Sequence, residues 1–265
     1  MPLTPIHHED RFVAVAAGVF HSAAITIDGD LLTWGSSSHG QCLDQRWTPP
    51  DGSKLVDVVL GRHHTAVVDD RGRIWTFGDN KYGQLGRSIV LQEEADPKKK
   101  KKKAVDPLPS LVDGSLGKAN DGSCQCMELV SGWSHMIARV RAPATGSEIY
   151  GWGRSDKGQL GCQEKSVTAP RLLNEPLLLK GISMIACGSE ASYFLDEDKS
   201  SIYSCGWNEH GNLGIDAKGD ADEDVPRITQ VAGTERIVSP PTYSSEGNRR
   251  LVMAAGGAHL LVLRT

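Results

Sequence analysis

The sequence predicts an all-β protein with the architecture of a β-propeller, and three observations support this. A phrase made of an aromatic residue, glycine and a Gly-Gln-Leu-Gly-like turn recurs at 75–86, 150–161 and 205–214. Glycine accounts for 29 of the 265 residues, which indicates many turns. The segments between the glycines are rich in Val, Ile, Trp, Tyr and Phe, as half-buried strands are.

The repeat can be followed through four full units and the first half of a fifth. Each unit has an apolar run, a glycine, a second apolar run, a polar turn and an aromatic strand. The units cover residues 12–42, 55–86, 127–161, 182–214 and 251–263. We expect an N-terminal extension at 1–11, repeats throughout 12–265 and a lysine-rich insert at 87–125. Three or four strands per unit are typical of a propeller blade.

Most repeated residues have structural explanations. Asp28-Gly29 predicts a hairpin turn, and the glycine before each second run is expected to join two inner strands. Prolines after the Gly-Gln-Leu-Gly turns are expected at the first position of the following strand, where no ladder donor is lost. The aromatic positions are expected to pack between blades: Trp34, Phe77, Trp152 and the segment Cys205-Gly206-Trp207.

Composition and cysteine spacing limit the functional classes. The formal charge is −4, so the sequence indicates no general attraction to nucleic acid or to an anionic membrane. The six cysteines lack the paired spacing of a zinc finger and are interpreted as reduced thiols. The first ten residues do not read as a signal peptide, and no apolar run reaches membrane-spanning length. We expect a cytoplasmic protein that is also found in the nucleus.

Catalytic motifs are missing at the places where they could be recognised. Gly117-Lys118 lacks the remaining residues of a phosphate-binding loop, and the His-His-Glu-Asp run at 7–10 lacks zinc-protease spacing. His21, His64 and His135 occur once per unit, which favours repeated structural hydrogen bonds over a metal cluster. The sequence therefore predicts no enzyme active site, no cofactor and no metal.

These residues resemble the regulator-of-chromosome-condensation propeller family, whose repeats carry Gly-x-x-His-Ser/Thr, Trp-Gly and Gly-Gln-Leu-Gly. The resemblance covers nearly the whole chain except residues 87–125. The segments "VSGWSHMIARV", "GWGRSDKGQLG", "ACGSEASYFL" and "CGWNEHGNLG", in this order, resemble the branch of the secretion-regulating guanine nucleotide exchange factor and the fungal alpha-tubulin suppressor. One departure is Ala191, which stands where the other units have histidine.

The resemblance implies a seven-bladed ring, whereas the sequence shows four units and a half. No aromatic–glycine half unit at the N-terminus completes the half unit at the C-terminus. We therefore expect a C-terminal portion of a longer protein or a shortened gene product. The alternative is a smaller ring of about five blades, since a ring usually closes by pairing strands from both termini.

Binding residues of propellers concentrate on loops, and two sets of residues are candidates. The first set comprises possible partner-binding residues: Trp133, Arg154, Asp156, Lys157, Trp207, Asn208, Glu209 and His210. The second set is a possible nuclear localisation signal: Lys98, Lys99, Lys100, Lys101, Lys102 and Lys103. The non-functional alternatives are structural roles for the first set and a solvated loop for the second.

Three functions remain open. The first is a non-enzymatic interaction scaffold; the branch implies a small zinc-binding electron carrier as partner, serving transfer-RNA wobble-uridine modification and diphthamide synthesis. The second is a guanine nucleotide exchange factor for a small GTPase, although no clear β-wedge insert is visible outside 87–125. The third is chromatin association, which the charge disfavours. A resemblance to plant ultraviolet receptors is also disfavoured, because most Trp residues occupy blade-packing positions.

Overall fold

The strands follow the repeat and form five antiparallel sheets, each made of consecutive strands. A computed structural model describes residues 11–89, 104–113, 125–142, 146–173, 181–196, 201–215, 224–231, 251–257 and 259–264. Within these ranges every regular element is a β-strand. This confirms the all-β propeller class.

Each blade is built from strands that follow one another along the chain. The first contains β1 (Phe12–Ala17), β2 (His21–Thr26) and β3 (Leu31–Gly35), with Trp47 bridging to Leu31 in place of a fourth strand. The second contains β4 (Leu55–Leu60), β5 (His64–Asp69), β6 (Ile74–Asp79) and β7 (Val105–Leu111). The third contains β8 (Gln125–Ser131), β9 (His135–Ala142), β10 (Gly146–Arg154) and β11 (Ser166–Leu172). The fourth contains β12 (Ile182–Cys187), β13 (Ala191–Asp196), β14 (Ser201–Gly206) and β15 (Val225–Gln230). The fifth contains β16 (Leu251–Ala255) and β17 (Leu260–Arg264).

Two sequence expectations about the outer strands were wrong. The segment 87–125 is not wholly an insert, because β7 lies inside it and completes the second blade. The prolines do not open the outer strands: Pro170 lies within β11 and Pro226 is the second residue of β15, and β7 also contains Pro107 and Pro109. In all three strands the register shifts at this point, so prolines fall where the pairing of an edge strand is interrupted. The expectation of a seven-bladed ring is not tested by these five sheets and stays a prediction.

The core lies between neighbouring blades, so each central sheet is apolar on both faces. All six residues of β5 are buried. Val67 packs in the cluster shared with the first blade, whereas Ala66 and Val68 pack in the cluster shared with the third and fourth blades. This double burial explains why the inner strands read as continuous apolar runs rather than as alternating patterns.

A repeated hydrogen-bond relay joins the blades. We number the junctions by the blade that precedes them. In the first junction, between the first and second blades, the Thr65 hydroxyl donates to the Gln41 carbonyl at 2.9 Å, and His21 Nε2 lies 2.9 Å from the same hydroxyl oxygen. In the third junction Ser192 donates to the Gln159 carbonyl at 2.6 Å and lies 3.1 Å from His135 Nε2. Since each hydroxyl hydrogen is already used, the histidine donates through Nε2–H. The prediction of repeated structural histidine hydrogen bonds is confirmed.

The second junction uses another donor for the same acceptor. Met136 stands where Thr65 and Ser192 stand in their blades, so no hydroxyl is available. The indole N–H of Trp152 donates instead to the Gln84 carbonyl at 3.0 Å. The glutamine carbonyl is therefore satisfied at all three junctions, as a buried backbone acceptor should be.

The glutamine side chain stabilises its own loop, which explains why the motif requires this residue. The side-chain oxygens of Gln41, Gln84 and Gln159 each accept the backbone N–H two residues earlier, at 2.8–2.9 Å. These glutamines are 0–1% exposed. The fourth blade has Asn212 here, and its side-chain oxygen has no hydrogen-bond partner.

The Gly-x-x-His motif requires glycine because the histidine ring of the motif lies too close to leave room for a Cβ atom. A Cβ atom added at Gly61 would collide with the ring of His64, and one at Gly132 would collide with the ring of His135. The histidine thus lies flat against the glycine of its own turn, directed at the next blade. The motif is a packing unit in which both residues are needed.

The outward face of the first blade is more exposed than the equivalent faces between neighbouring blades. Val13 is 57% and Val15 is 73% exposed. Trp34 is half-buried, whereas Phe77 and Trp152, at the same position in their blades, are fully buried. In the fourth blade Cys205, not Trp207, occupies this aromatic position, because Gly206 pairs with Ala191 as Gly153 pairs with His135. The sequence expectation for Trp207 is corrected accordingly.

Shortening Gln159 to Asn should destabilise the protein. The shorter amide no longer reaches the Lys157 N–H, although the site stays buried. We expect the free energy of unfolding in urea to fall by about 1–3 kcal/mol, the cost of a buried polar group without a partner. Gln163→Asn makes the same chemical change at an exposed position and should cost less than about 0.5 kcal/mol. Equal losses would contradict the assigned role.

The buried histidines should make stability fall at acidic pH. Burial lowers the pKa of His21 and His135 to about 4 and that of His64 to about 3. In the unfolded chain these pKa values return to about 6.5. Between the two values only the unfolded chain binds the proton, so stability is complete above about pH 6.5 and decreases as the pH falls toward 4.

His135→Gln should remove part of this pH dependence. The measurement is the urea midpoint between about pH 7.5 and pH 4.5, and the variant should lose at most about 3 kcal/mol of the wild-type difference. His210 is exposed, so His210→Gln should keep the whole difference. A wild-type midpoint that rises on acidification would refute the assignment.

Candidate protein-interaction face

Strand order brings two kinds of loop to one face of the propeller. In an antiparallel blade the turn between the first and second strands and the loop after the third strand lie at the same end. We call this end the first-turn face; it consists of the turns 18–20, 61–63, 132–134 and 188–190 and the loops 36–41, 80–86, 155–161 and 207–214. The first turns of all five blades surround a central cavity of about 170 Å³.

An arginine lies between two exposed aromatic rings on this face. The guanidinium carbon of Arg62 is 5.8 Å from the Phe20 ring centroid and 5.2 Å from the Trp133 ring centroid. Phe20 is 44% exposed and Trp133 is 37% exposed. The backbone N–H of Arg62 also donates to the Trp133 carbonyl at 2.9 Å. Three blades therefore contribute to one cationic and aromatic surface.

Two histidines extend this surface toward the first blade. The rings of Phe20 and His63 stack at 5.0 Å, and those of His63 and His39 stack at 4.1 Å. Burial lowers the pKa of His63, and nearby His39 and Arg62 lower it further, against an opposing effect of Asp79. We call Phe20, His39, Arg62, His63 and Trp133 the Arg62–aromatic cluster.

The three charged candidates of the third blade are engaged within the protein. Arg154 forms ion pairs with Asp156 and with Glu190 of the next blade, and its guanidinium carbon lies 5.2 Å from the Tyr82 ring centroid of the preceding blade. Lys157 forms an ion pair with Asp224 at 3.2 Å. Arg154 thus joins three blades, which indicates a structural role.

The four candidates of the fourth blade differ in exposure. Glu209 and His210 are exposed, and His210 packs edge-on against Trp207 at 5.2 Å between ring centroids. Asn208 is 2% exposed, and its side-chain oxygen accepts the Leu213 N–H at 3.0 Å. Asn80 makes the equivalent bond to Leu85, so Asn208 shapes its loop rather than facing a partner. For Asn208 the interpretation as a contact residue is corrected.

Sequence reasoning identified only part of this face. It selected Trp133, but it missed Phe20, His39, Arg62 and His63, whose contacts cross between blades. The available signal was that Arg62 and Trp133 occupy the same position in successive Gly-x-x-His turns. The lysines 98–103 lie outside the described residues, so the nuclear localisation signal stays a prediction.

Among the described residues no group of three His, Cys, Asp or Glu side chains is arranged to hold a metal ion. No helix within the same ranges is long and apolar enough to cross a bilayer.

Comparison with known proteins identifies the repeat. Sequence models of the Regulator of chromosome condensation (RCC1) repeat match residues 12–41, 55–84, 71–138 and 147–195, more than half of the chain. The chain belongs to the RCC1 repeat family. The residues that form the relay between blades, Trp152 included, lie within these matched ranges.

Several relatives and solved structures are similar to this RCC1-repeat chain. The mouse "Secretion-regulating guanine nucleotide exchange factor" is 28% identical, over 96% of this chain and 54% of the relative. The "Ultraviolet-B receptor UVR8" of Arabidopsis thaliana is 27% identical, over 85% of this chain and 47% of the relative. The chain thus spans about half the length of these curated relatives.

Solved structures show the same fold. Human WBSCR16 superposes with a TM-score of 0.71 at 20% identity, over 100% of this chain and 62% of that chain. Yeast RCC1 (Prp20), bound to Kap60, superposes with a TM-score of 0.66 at 22% identity, over 98% of this chain and 56% of that chain.

Arginines 62 and 154 should differ in their contribution to stability. Arg154→Met removes two ion pairs, and a double-mutant cycle with Glu190→Gln should give a coupling of about 1 kcal/mol. Arg62→Met keeps the stem of an exposed side chain and should change the free energy of unfolding by less than about 0.5 kcal/mol. The measurement is urea unfolding, and a larger effect at Arg62 than at Arg154 would contradict these roles.

Proposed function

We propose that this RCC1-repeat protein is a non-enzymatic interaction scaffold that binds a protein partner through its first-turn face. The observation that carries the proposal is the exposed Arg62–aromatic cluster, assembled from three blades. Large aromatic side chains and arginine are common anchors of protein interfaces. The relay between blades holds them at fixed positions, which reduces the entropy lost on binding.

Guanine nucleotide exchange on a small GTPase is the second candidate. It is favoured by the function in the name of the mouse relative, which is similar over nearly the whole of this chain. A solved structure of yeast Prp20p, with a TM-score of 0.65 at 23% identity, is described with its binding to Gsp1p and histones. Exchange requires only that the factor binds the nucleotide-free GTPase more tightly than the loaded one, so it needs no acid, base or nucleophile.

A pull-down under two nucleotide conditions separates the two candidates. The tagged protein is incubated with lysate of its source organism, once with EDTA and once with excess GTP and Mg²⁺, and bound proteins are identified by mass spectrometry. A scaffold should retain its partner when GTP and Mg²⁺ are added, whereas EDTA releases a zinc-dependent partner by removing its zinc. A GTPase that is retained with EDTA and released by GTP would support exchange activity instead. If no protein is enriched over a tag-only control, both candidates are contradicted.

The identity of the retained protein tests the finer expectations. A small zinc-binding electron carrier would support a role in transfer-RNA wobble-uridine modification and diphthamide synthesis, as the resemblance of the sequence implies. Histones would favour chromatin association. The cytoplasmic and nuclear location expected from the sequence belongs to the same proposal and is checked by imaging the tagged protein.

A further inference from the structure

Arg62 carries a positive charge that is not paired with a carboxylate of the described residues. Most described arginines form an ion pair within 4 Å: Arg46, Arg71, Arg73, Arg87, Arg139, Arg154 and Arg171. Among the described residues Arg62 has no such pair, and its guanidinium donates no hydrogen bond. Its charge is instead held between the faces of two aromatic rings on the surface.

The comparison with Arg154 shows what this arrangement lacks. Both arginines lie over an aromatic ring of a neighbouring blade, at 5.2 Å in each case. Arg154 also has Asp156 and Glu190 to accept its N–H groups. Arg62 keeps its five donors free for an acceptor from outside, and a carboxylate accepts two of them in parallel.

The surroundings of Arg62 add aromatic and apolar area. The stacked rings of His39 and His63 lie in the same cluster. The carboxylate that acts on His63 is that of Asp79, which already accepts a hydrogen bond from the Gln84 side chain at 2.7 Å. Val19, which is 48% exposed, lines the central cavity together with Trp133. An apolar side chain next to a carboxylate therefore has a place to pack.

We propose that the Arg62–aromatic cluster binds an extended acidic protein segment, in which a Glu or Asp carboxylate pairs with Arg62 and a neighbouring apolar side chain packs between Val19 and Trp133. This inference rests on the proposed scaffold function and names the chemistry of the partner. Nucleic acid fits less well, because a single guanidinium offers one phosphate contact, whereas binding to nucleic acid depends on several.

The test uses fluorescence anisotropy with a defined probe. The probe is a fluorescein-labelled peptide of alternating Glu and Leu, about ten residues long, which in extended form spans about 33 Å and so reaches from one blade to the next. We expect binding with a Kd below about 1 mM. A peptide of alternating Lys and Leu and a single-stranded thymidine oligonucleotide of equal length serve as comparison ligands.

Variants connect the binding to the cluster. Arg62→Met keeps the stem of the side chain between its aromatic neighbours and removes the charge, so the affinity should fall at least about tenfold. Arg62→Glu should abolish it. Arg141→Glu is the matched control, because Arg141 is exposed at the other end of β9, far from the first-turn face. It should leave the affinity unchanged, and all variants should unfold at the wild-type urea midpoint.

Three results would overturn the inference: no binding of the acidic peptide, equal loss in Arg62→Met and Arg141→Glu, or tighter binding of the basic peptide or of the oligonucleotide. The outcome is separable from that of the scaffold proposal. If the pull-down partner is retained by Arg62→Glu while the peptide fails to bind, the scaffold stands and the acidic segment is wrong. If the peptide binds as expected but the lysate yields no partner, the site stands and the scaffold function is wrong.

Discussion

The structure depends on one buried acceptor, the backbone carbonyl of glutamine in the loop after the third strand. Each of these carbonyls points at the next blade and needs a donor there, since leaving it unsatisfied would cost more than any single apolar contact contributes. Thr65 and Ser192 meet this need with a hydroxyl, and Trp152 meets it with an indole N–H. The position of one blade relative to the next is therefore set by a directional bond, whereas apolar packing supplies most of the favourable free energy.

Much of the fold could be predicted from the sequence because its signals are local and repeated. Gly-x-x-His, the polar turn and Gly-Gln-Leu-Gly each lie within a few residues of one another, so their spacing shows in a single chain. The interface chemistry could not be predicted in the same way. The partners Gln84 and Trp152 are 68 residues apart, and an indole replaces a hydroxyl without any change in the local pattern.

The same contrast between local signals and contacts across blades explains why the sequence predicted only some of the residues on the first-turn face. Trp133 was recognisable because its size exceeds what a turn position needs, but Arg62 looked like any surface arginine until its neighbours were known. Asn208 showed the opposite error, because a polar loop residue was assumed to face solvent although it bonds to Leu213 within its own loop. Exposure is decided by the loop conformation, and residue type alone does not report it.

The junction between the fourth and fifth blades differs from the others in a way that affects how the molecule moves. Ala191 cannot reach across it, and Leu260 has no hydroxyl to receive a bond. Apolar residues such as Tyr193, Met253 and Val262 pack there, together with the short bond from Ser189 to the Gly257 carbonyl. Apolar contact resists separation but has no preferred direction, and the hydrogen bonds described at this junction are confined to the first turns, where the Ser189 N–H and hydroxyl donate to the Gly257 carbonyl. We therefore expect the terminal sheet to hinge about that point. Amide hydrogens along β16 and β17 should therefore exchange with solvent in a local opening that leaves the first four blades intact.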